Sequence, residues 1–337
     1  MDTSAEHVTS AEQMTLQHKI NSGFGARSTA EEVLQGLDLE GTTAMVTGGY
    51  SGLGLETTKA LAAAGAWVVV PARRPDHAQE VLGSAGLYPD RVAVDALDLA
   101  DQHSVKDFSA RFLDSGRSLD ILINNAAIMD SAEKRVVSGW ESQFATNPLG
   151  HYTLTNLLWP ALTAGGGARV VALSSTGHKL SGIRFDDPQF NTGYDKWQAY
   201  GQAKTADSLF AVWLDRRGRG AGVRAFAAHP GGIMTELQRH LPREEMIAAG
   251  WLDAQGKVDP RFKSPEQGAA TSIWAATAPV LAEMGGVYCE DCDIAEPTDP
   301  DSPTSRLAGV DAHAVDPDAA ARLWDLSAEL TGINVFA

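Results

Sequence analysis

Gly41-Thr42-Thr43-Ala44-Met45-Val46 runs without a break into Thr47-Gly48-Gly49-Tyr50-Ser51-Gly52-Leu53-Gly54. Residues 55–64 follow, rich in alanine and leucine, and Gly65 closes them. The first segment has the β-branched and apolar content of a strand, and the last has the composition and C-terminal glycine of a helix. Strand, glycine turn, helix is the context that a dinucleotide site requires. Glycines let backbone N–H groups approach a pyrophosphate, and the helix N-terminus adds a partial positive charge. An ordinary glycine-rich connection is the competing reading. The spacing Gly48, Gly52, Gly54 departs from the usual G-x-G-x-x-G.

Working outward, short apolar runs at 67–70, 91–94, 121–123, 169–173, 223–227 and 286–288 alternate with helical stretches. Continuous apolar runs are what a sheet covered on both faces needs. The pattern predicts an α/β fold, a single Rossmann-type doubly wound parallel sheet with helices on both faces, over 38–295. Residues 1–37 read as an N-terminal arm, in which Ser28-Thr29-Ala30-Glu31-Glu32 opens a short helix through a capping box. Residues 296–316 read as an irregular loop and 317–330 as an amphipathic helix.

The 337-residue chain carries 27 basic and 43 acidic residues, a net charge of −16. That excess argues against nucleic acid or an anionic membrane as partner. No apolar run approaches the roughly 18 residues of a membrane span, and no secretory leader is evident. Two cysteines suggest a reducing compartment, so the expected localisation is cytoplasmic. Cys289-x-x-Cys292 lacks a second ligand pair, and a structural thiol pair is preferred to a metal site.

Tyr200-Gly201-Gln202-Ala203-Lys204 sets a phenol and an ammonium one helical turn apart. A free tyrosine ionises near pH 10, and a nearby cation favours phenolate. Helices carry such pairs by chance, so the motif gains weight from what precedes it. Ser174-Ser175 ends the run at 169–173, where ligands of open α/β sheets bind, and either hydroxyl suits a carbonyl. Asn147 precedes Pro148 inside a helical stretch at 141–158, which predicts a local kink.

Thr47-Gly-x-x-x-Gly-x-Gly54, Asn124-Asn125-Ala126-Ala127, Asn147, Ser175 and Tyr200-x-x-x-Lys204 stand in the order and approximate spacing of the short-chain dehydrogenase/reductase superfamily. The resemblance spans roughly 38–295. It implies a nicotinamide nucleotide held by Thr47, Gly48, Tyr50, Ser51, Gly52, Leu53 and Gly54, with Asp98-Leu99 at the adenine, residues 124–126 beside the adjoining ribose, and Asn125, Ala126 and Ala127 counted among the cofactor-binding residues. The alternative reading of Asn124 is that it ties neighbouring strands together. Further on, Pro230, Gly231, Ile233 and Thr235 resemble the segment that holds the nicotinamide carboxamide and pyrophosphate. His229 beside them reads as a packed strand-end residue rather than a base.

The resemblance further implies that Ser175 and Tyr200 bond the carbonyl oxygen, that Tyr200 transfers the proton, and that Lys204 lowers its pKa and bonds the ribose. Asn147 would hold a water linking Lys204 to solvent, and Pro148 alters the usual pattern there. Aligning the second strand with the family places Ala72 where NAD enzymes have a carboxylate, with Arg73 and Arg74 directly after. Guanidinium groups bind phosphate bidentately, so NADP(H) is the expected cofactor and no metal is implied. Asp76 is the counter-argument, and solvated loop arginines are the alternative.

The long stretch between Ser175 and Tyr200 resembles the branch of retinol dehydrogenases, protochlorophyllide reductases and WW-domain oxidoreductases. Residues 236–263 would form a lid over an apolar carbonyl or alcohol substrate. A catalytically silent NADP(H)-binding sensor or scaffold, and a reductase of a carbon–carbon double bond, are the alternatives. Apolar residues on the stretch around 200–216 exceed one core-facing stripe. Such a surplus suits a homodimer, or else a cover supplied by the terminal extensions.

Overall fold

The computed structural model of the chain describes residues 14–87, 89–129, 131–239 and 241–337. The predicted arm and lid therefore extend partly outside the described residues, at 1–13 and at 240. One sheet organises the chain, with strands β1 (Thr43–Val46), β2 (Trp67–Ala72), β3 (Val92–Ala96), β4 (Ile121–Asn124), β5 (Ala168–Leu173), β6 (Val223–His229), β7 (Val287–Glu290) and β8 (Asp293–Ile294). Their order is β3-β2-β1-β4-β5-β6-β7-β8. Strands β1 to β7 are parallel, and the chain reverses its winding between β1 and β4, where doubly wound sheets bind ligands.

β8 runs antiparallel to β7, with Cys289 opposite Ile294 and Glu290 opposite Asp293. The reading of the sequence ends the sheet one strand earlier. The missed hairpin turns through Asp291 (φ 50°) and Cys292 (φ 58°). Neither is the glycine that usually signals such a turn. Cys289 and Cys292 are both free and buried in it.

The helices are α1 (Ala30–Leu34), α2 (Gly52–Ala63), α3 (Pro75–Ser84), α4 (Gln102–Asp114), α5 (Ser142–Phe144), α6 (Gly150–Leu157), α7 (Trp159–Ala164), α8 (Lys196–Gly218), α9 (Arg243–Ala248), α10 (Pro265–Thr277) and α11 (Pro317–Thr331). Successive strand residues point to opposite faces. Ala44, Val46, Val68 and Val70 meet α1, α2 and α10 through Val33, Leu61 and Trp274. Met45, Val69 and Leu122 meet α4, α6 and α8 through Phe108, Leu154 and Phe210. Burying each such side chain stabilises the fold by roughly 1.5–3 kcal/mol.

Both extensions are tied down. Thr29 and Glu32 form the predicted capping box, and the short helix it opens ends at Leu34. The Gln17 side chain ties the arm to the β7–β8 hairpin, where its Nε2 donates to Tyr288 O (2.8 Å) and Ala295 O (2.7 Å) and its Oε1 accepts from Tyr288 N (2.9 Å). Ala295 N donates to the same Tyr288 O at 2.9 Å, so one amide side chain and the hairpin's own backbone close this end of the sheet together. The C-terminal α11 packs on α8, with Trp324 stacked on Phe210 at 5.9 Å.

Candidate active site

The carboxyl ends of the parallel strands open into a cavity of 1370 Å³. The turn after β1 supplies one wall. Gly54 has to be glycine there, since a Cβ would lie 2.3 Å from Gly48 O. The helix that follows starts at Gly52, and its N-cap Ser51 makes no side-chain cap bond. First-turn N–H groups without a side-chain partner suit an anion.

Thr47 locks this turn to the next strand. Its Oγ1 accepts from Asn125 N and Ala126 N, both at 2.9 Å, and bonds His151 Nε2 at 2.9 Å. His151 Nδ1 lies 2.6 Å from Asn147 O. A hydroxyl has one proton, so the consistent assignment has Thr47 donating to Nε2 and His151 Nδ1–H donating to Asn147 O. Burial, with some help from Lys204, lowers the His151 pKa to about 3 and keeps that imidazole neutral. His151 was not singled out from the sequence; its position four residues after Asn147, on the same helical face, was the available signal.

Every predicted cofactor residue lines the cavity: Thr47, Gly48, Tyr50, Ser51, Gly52, Leu53, Gly54, Arg73, Arg74, Asp98, Leu99, Asn125, Ala126, Ala127, Pro230, Gly231, Ile233 and Thr235, besides Tyr200 and Lys204. Arg73 and Arg74 are exposed, leave β2 directly, and have no carboxylate partner among the described residues. His77 lines the same corner, its ring edge-on to Tyr50 at 6.1 Å, and was not anticipated. Asp98 Oδ1 accepts from Ala100 N at 3.0 Å. Asn124 is buried and donates to Thr155 Oγ1 of α6 at 3.3 Å, a tie from strand to helix and not between strands.

Asn147 stands behind the wall instead of in it. It lies in a π-turn (Ala145–Leu149) with Pro148 inside. A proline has no N–H to give the helical ladder, which loosens it locally. The Asn147 side chain clamps Ile128, with Oδ1 accepting from its N–H and Nδ2 donating to its carbonyl, both at 2.9 Å.

Ser175, Tyr200 and Lys204 also line the cavity and lie near one another. Ser175 caps the 3-10 turn Thr176–Leu180 and accepts from Gly177 N at 3.0 Å. A Cβ on Gly177 would lie 2.7 Å from Tyr200 Cε1, so the turn packs flat on the phenol ring only with glycine there. Ser174 points away and donates to Lys204 O at 2.8 Å, a structural role. The Lys204 ammonium sits 5.8 Å from the Tyr200 ring centre. It donates to Leu173 O at 2.7 Å and to Asp207 Oδ2 at 2.9 Å. Asp207 too was missed, although it follows Lys204 by three residues. His229 is buried and stacked on Tyr288, and burial holds its pKa at about 3, so it is a packed neutral group.

Between Thr235 and Lys263 the chain leaves the sheet and returns. Ile233 bridges to Lys263, and Lys263 N donates to Gly232 O at 2.8 Å, which closes the neck. The excursion places Leu241 against Tyr200 and Met129. Trp251 meets Trp197 edge-on at 6.2 Å and lies 6.2 Å from Phe262. All three of these aromatic rings line the cavity.

The family model for short chain dehydrogenases matches residues 42–246. A Streptomyces lividans protein named "Probable oxidoreductase" is 45% identical over 298 residues, covering 87% of this chain and 98% of its own. Retinol dehydrogenase 12 of Mus musculus is 36% identical, over 88% of this chain and 89% of its own. Among solved structures, an uncharacterized protein from Mycobacterium paratuberculosis superposes with a TM-score of 0.70 at 32% identity, over 92% of this chain and 99% of its own. The Pseudomonas aeruginosa RhlG/NADP active-site complex gives 0.58 at 25% identity, over 75% of this chain and 95% of its own.

Proposed function

Because this chain belongs to the short-chain dehydrogenase/reductase superfamily, in its retinol-dehydrogenase-like branch, we propose that it is an NADP(H)-dependent oxidoreductase interconverting a carbonyl and an alcohol on an apolar small molecule. The observation that carries the reading is the cavity itself. Ser175, Tyr200 and Lys204 line it together, and two arginines with no carboxylate partner among the described residues stand where the second strand ends.

The residues suit the cofactor. Arg73 and Arg74 offer charge-assisted bonds to a 2′-phosphate. The glycine turn and the uncapped start of α2 offer N–H groups to a pyrophosphate. The bound nicotinamide supplies the hydride. Ser175 and Tyr200 hydrogen-bond the substrate oxygen, and each such preorganised donor is worth about 2.7–4 kcal/mol. Tyr200 gives its phenolic proton to that oxygen in reduction and takes it back in oxidation. Lys204 favours the phenolate left behind. Trp197, Trp251, Phe262 and Leu241 exclude water and favour an apolar substrate.

The test is a screen of NADPH oxidation over diverse apolar ketones and aldehydes, with NADH in parallel and product identified. Tyr200→Phe keeps the ring and removes the proton. Turnover is expected to fall at least ~100-fold with cofactor affinity little changed. Turnover within threefold of the native chain would sink the assignment. A saturated carbon–carbon bond in the product would transfer the chemistry to an alkene. Cofactor binding with no turnover across the panel would favour a sensor.

A further inference from the structure

Lys204 and Asp207 lie on the same side of α8 and both are inside the protein, with 4% and 7% of their side-chain surface exposed. Ammonium and carboxylate groups seldom enter an interior unless paired. Here Nζ and Oδ2 are 2.9 Å apart, and a lysine three residues before an aspartate reaches it along the helix. The second bond of the ammonium, to Leu173 O, points it back toward the strand that ends at the catalytic serine.

The other groups facing Lys204 are few. Tyr200 on its own helix is one. His151 on α6 is the other, and it is neutral. Among the described residues, Lys204 is the charged group that bears on Asp207. Burial by itself pulls the lysine toward its neutral form. The Asp207 carboxylate, assisted by Tyr200, reverses this, and the net displacement is upward. Burial also pushes the Asp207 carboxyl up, and Lys204 draws it back.

We propose that Asp207 is a positioning residue for Lys204: its carboxylate keeps the buried ammonium charged and fixed beside Tyr200 before any cofactor or substrate binds. Nothing is transferred to or from Asp207. Removing its charge leaves a lysine in a dry site with no counter-ion, and that lysine gives up its proton at lower pH.

The inference rests on the functional reading above only where turnover is measured, and the first test needs no substrate. Lysine labelled with 15N at Nζ is followed by NMR titration in the full-length, cofactor-free chain, with Lys204→Met identifying the resonance. In the native chain Lys204 is expected to keep its proton beyond the ordinary lysine range near about 10.4. Asp207→Asn is expected to move the midpoint down by more than one pH unit, and Asp207→Glu to restore part of it. A midpoint unchanged in Asp207→Asn would overturn the proposal. If that variant does not fold, the native titration decides, because a Lys204 that deprotonates before exposed lysines is incompatible with it.

The kinetic arm compares turnover of Asp207→Asn and the native chain from pH 6 to 9. The ratio is expected to fall as pH rises. A constant ratio would mean a merely structural role and would also overturn the proposal. If neither protein turns over any carbonyl, the functional reading fails while the titration still judges Asp207.

Discussion

At the scale of single residues, the site mixes groups that announce themselves with groups that do not. Tyr200 and Lys204 are legible because helical geometry fixes their relation at a four-residue spacing. Arg73 and Arg74 are legible because they leave a strand end directly, and neither has a carboxylate partner among the described residues. Replacing both by alanine is expected to weaken NADPH binding while NADH binding changes little, each lost charge-assisted bond costing about 1.5–3 kcal/mol. Parallel titrations with the two nucleotides check this, and equal losses would show that the arginines do not read a phosphate. His77 is hidden because only folding brings it to Tyr50. His151 and Asp207 lie within a helical turn of Asn147 and Lys204, but the contact with Thr47 and the burial of the ion pair come only with the fold. His151 joins Asn147 to Thr47, which are a hundred positions apart in the chain.

Among the elements, α8 shows how one helix serves two sides. Its Tyr200 and Lys204 face the cavity, and its apolar surplus faces elsewhere. That surplus admits a partner subunit or a cover, and the structure supplies the cover. Ala206, Leu209 and Val212 pack with Ala320 and Leu323 of α11. Polar anchors hold the tail in place, since Tyr152 OH donates to Ile333 O at 2.7 Å and Val335 N donates to Asn156 Oδ1 at 2.9 Å. The surplus is therefore no ground for the expected homodimer. Intact chain is expected to scatter light as a monomer. A chain ending before Pro317 is expected to self-associate or to lose several kcal/mol, given roughly 1.5–3 kcal/mol for each of Leu323 and Trp324 removed. A dimeric intact chain, or a truncated one that stays monomeric and equally stable, would contradict this role for α11.

At the scale of the whole molecule, three histidines among the described residues are buried and held neutral on separate elements: His151 on α6, His178 in the turn after Ser175, and His229 at the end of β6. Burial is the main cause in each, with pKa values lowered to about 3, about 4 and about 3. The unfolded chain takes up protons at these sites near pH 6.5 and the folded one does not. Their contribution to stability is therefore complete above about 6.5 and declines as pH falls toward 3–4, by roughly 1.4 kcal/mol per pH unit for each. Glu141 and Glu290, pushed up by burial, offset part of this loss. Urea unfolding at pH 7 and pH 5 is expected to show lower stability at pH 5, and equal or greater stability there would count against the neutral assignment. The amino-acid sequence by itself determined the doubly wound sheet and the branch of the family, because period, strand-end glycines and local spacing are properties of neighbouring residues. It also marked the capping box at Thr29 and the C-terminal helix by their local chemistry. Only the tertiary structure decided that β8 closes the sheet, that α11 lies on α8, that Asn147 stands behind the cavity, and that Lys204 and Asp207 are buried together. Each of these depends on which distant surfaces meet, and burial, charge pairing and edge closure are settled there.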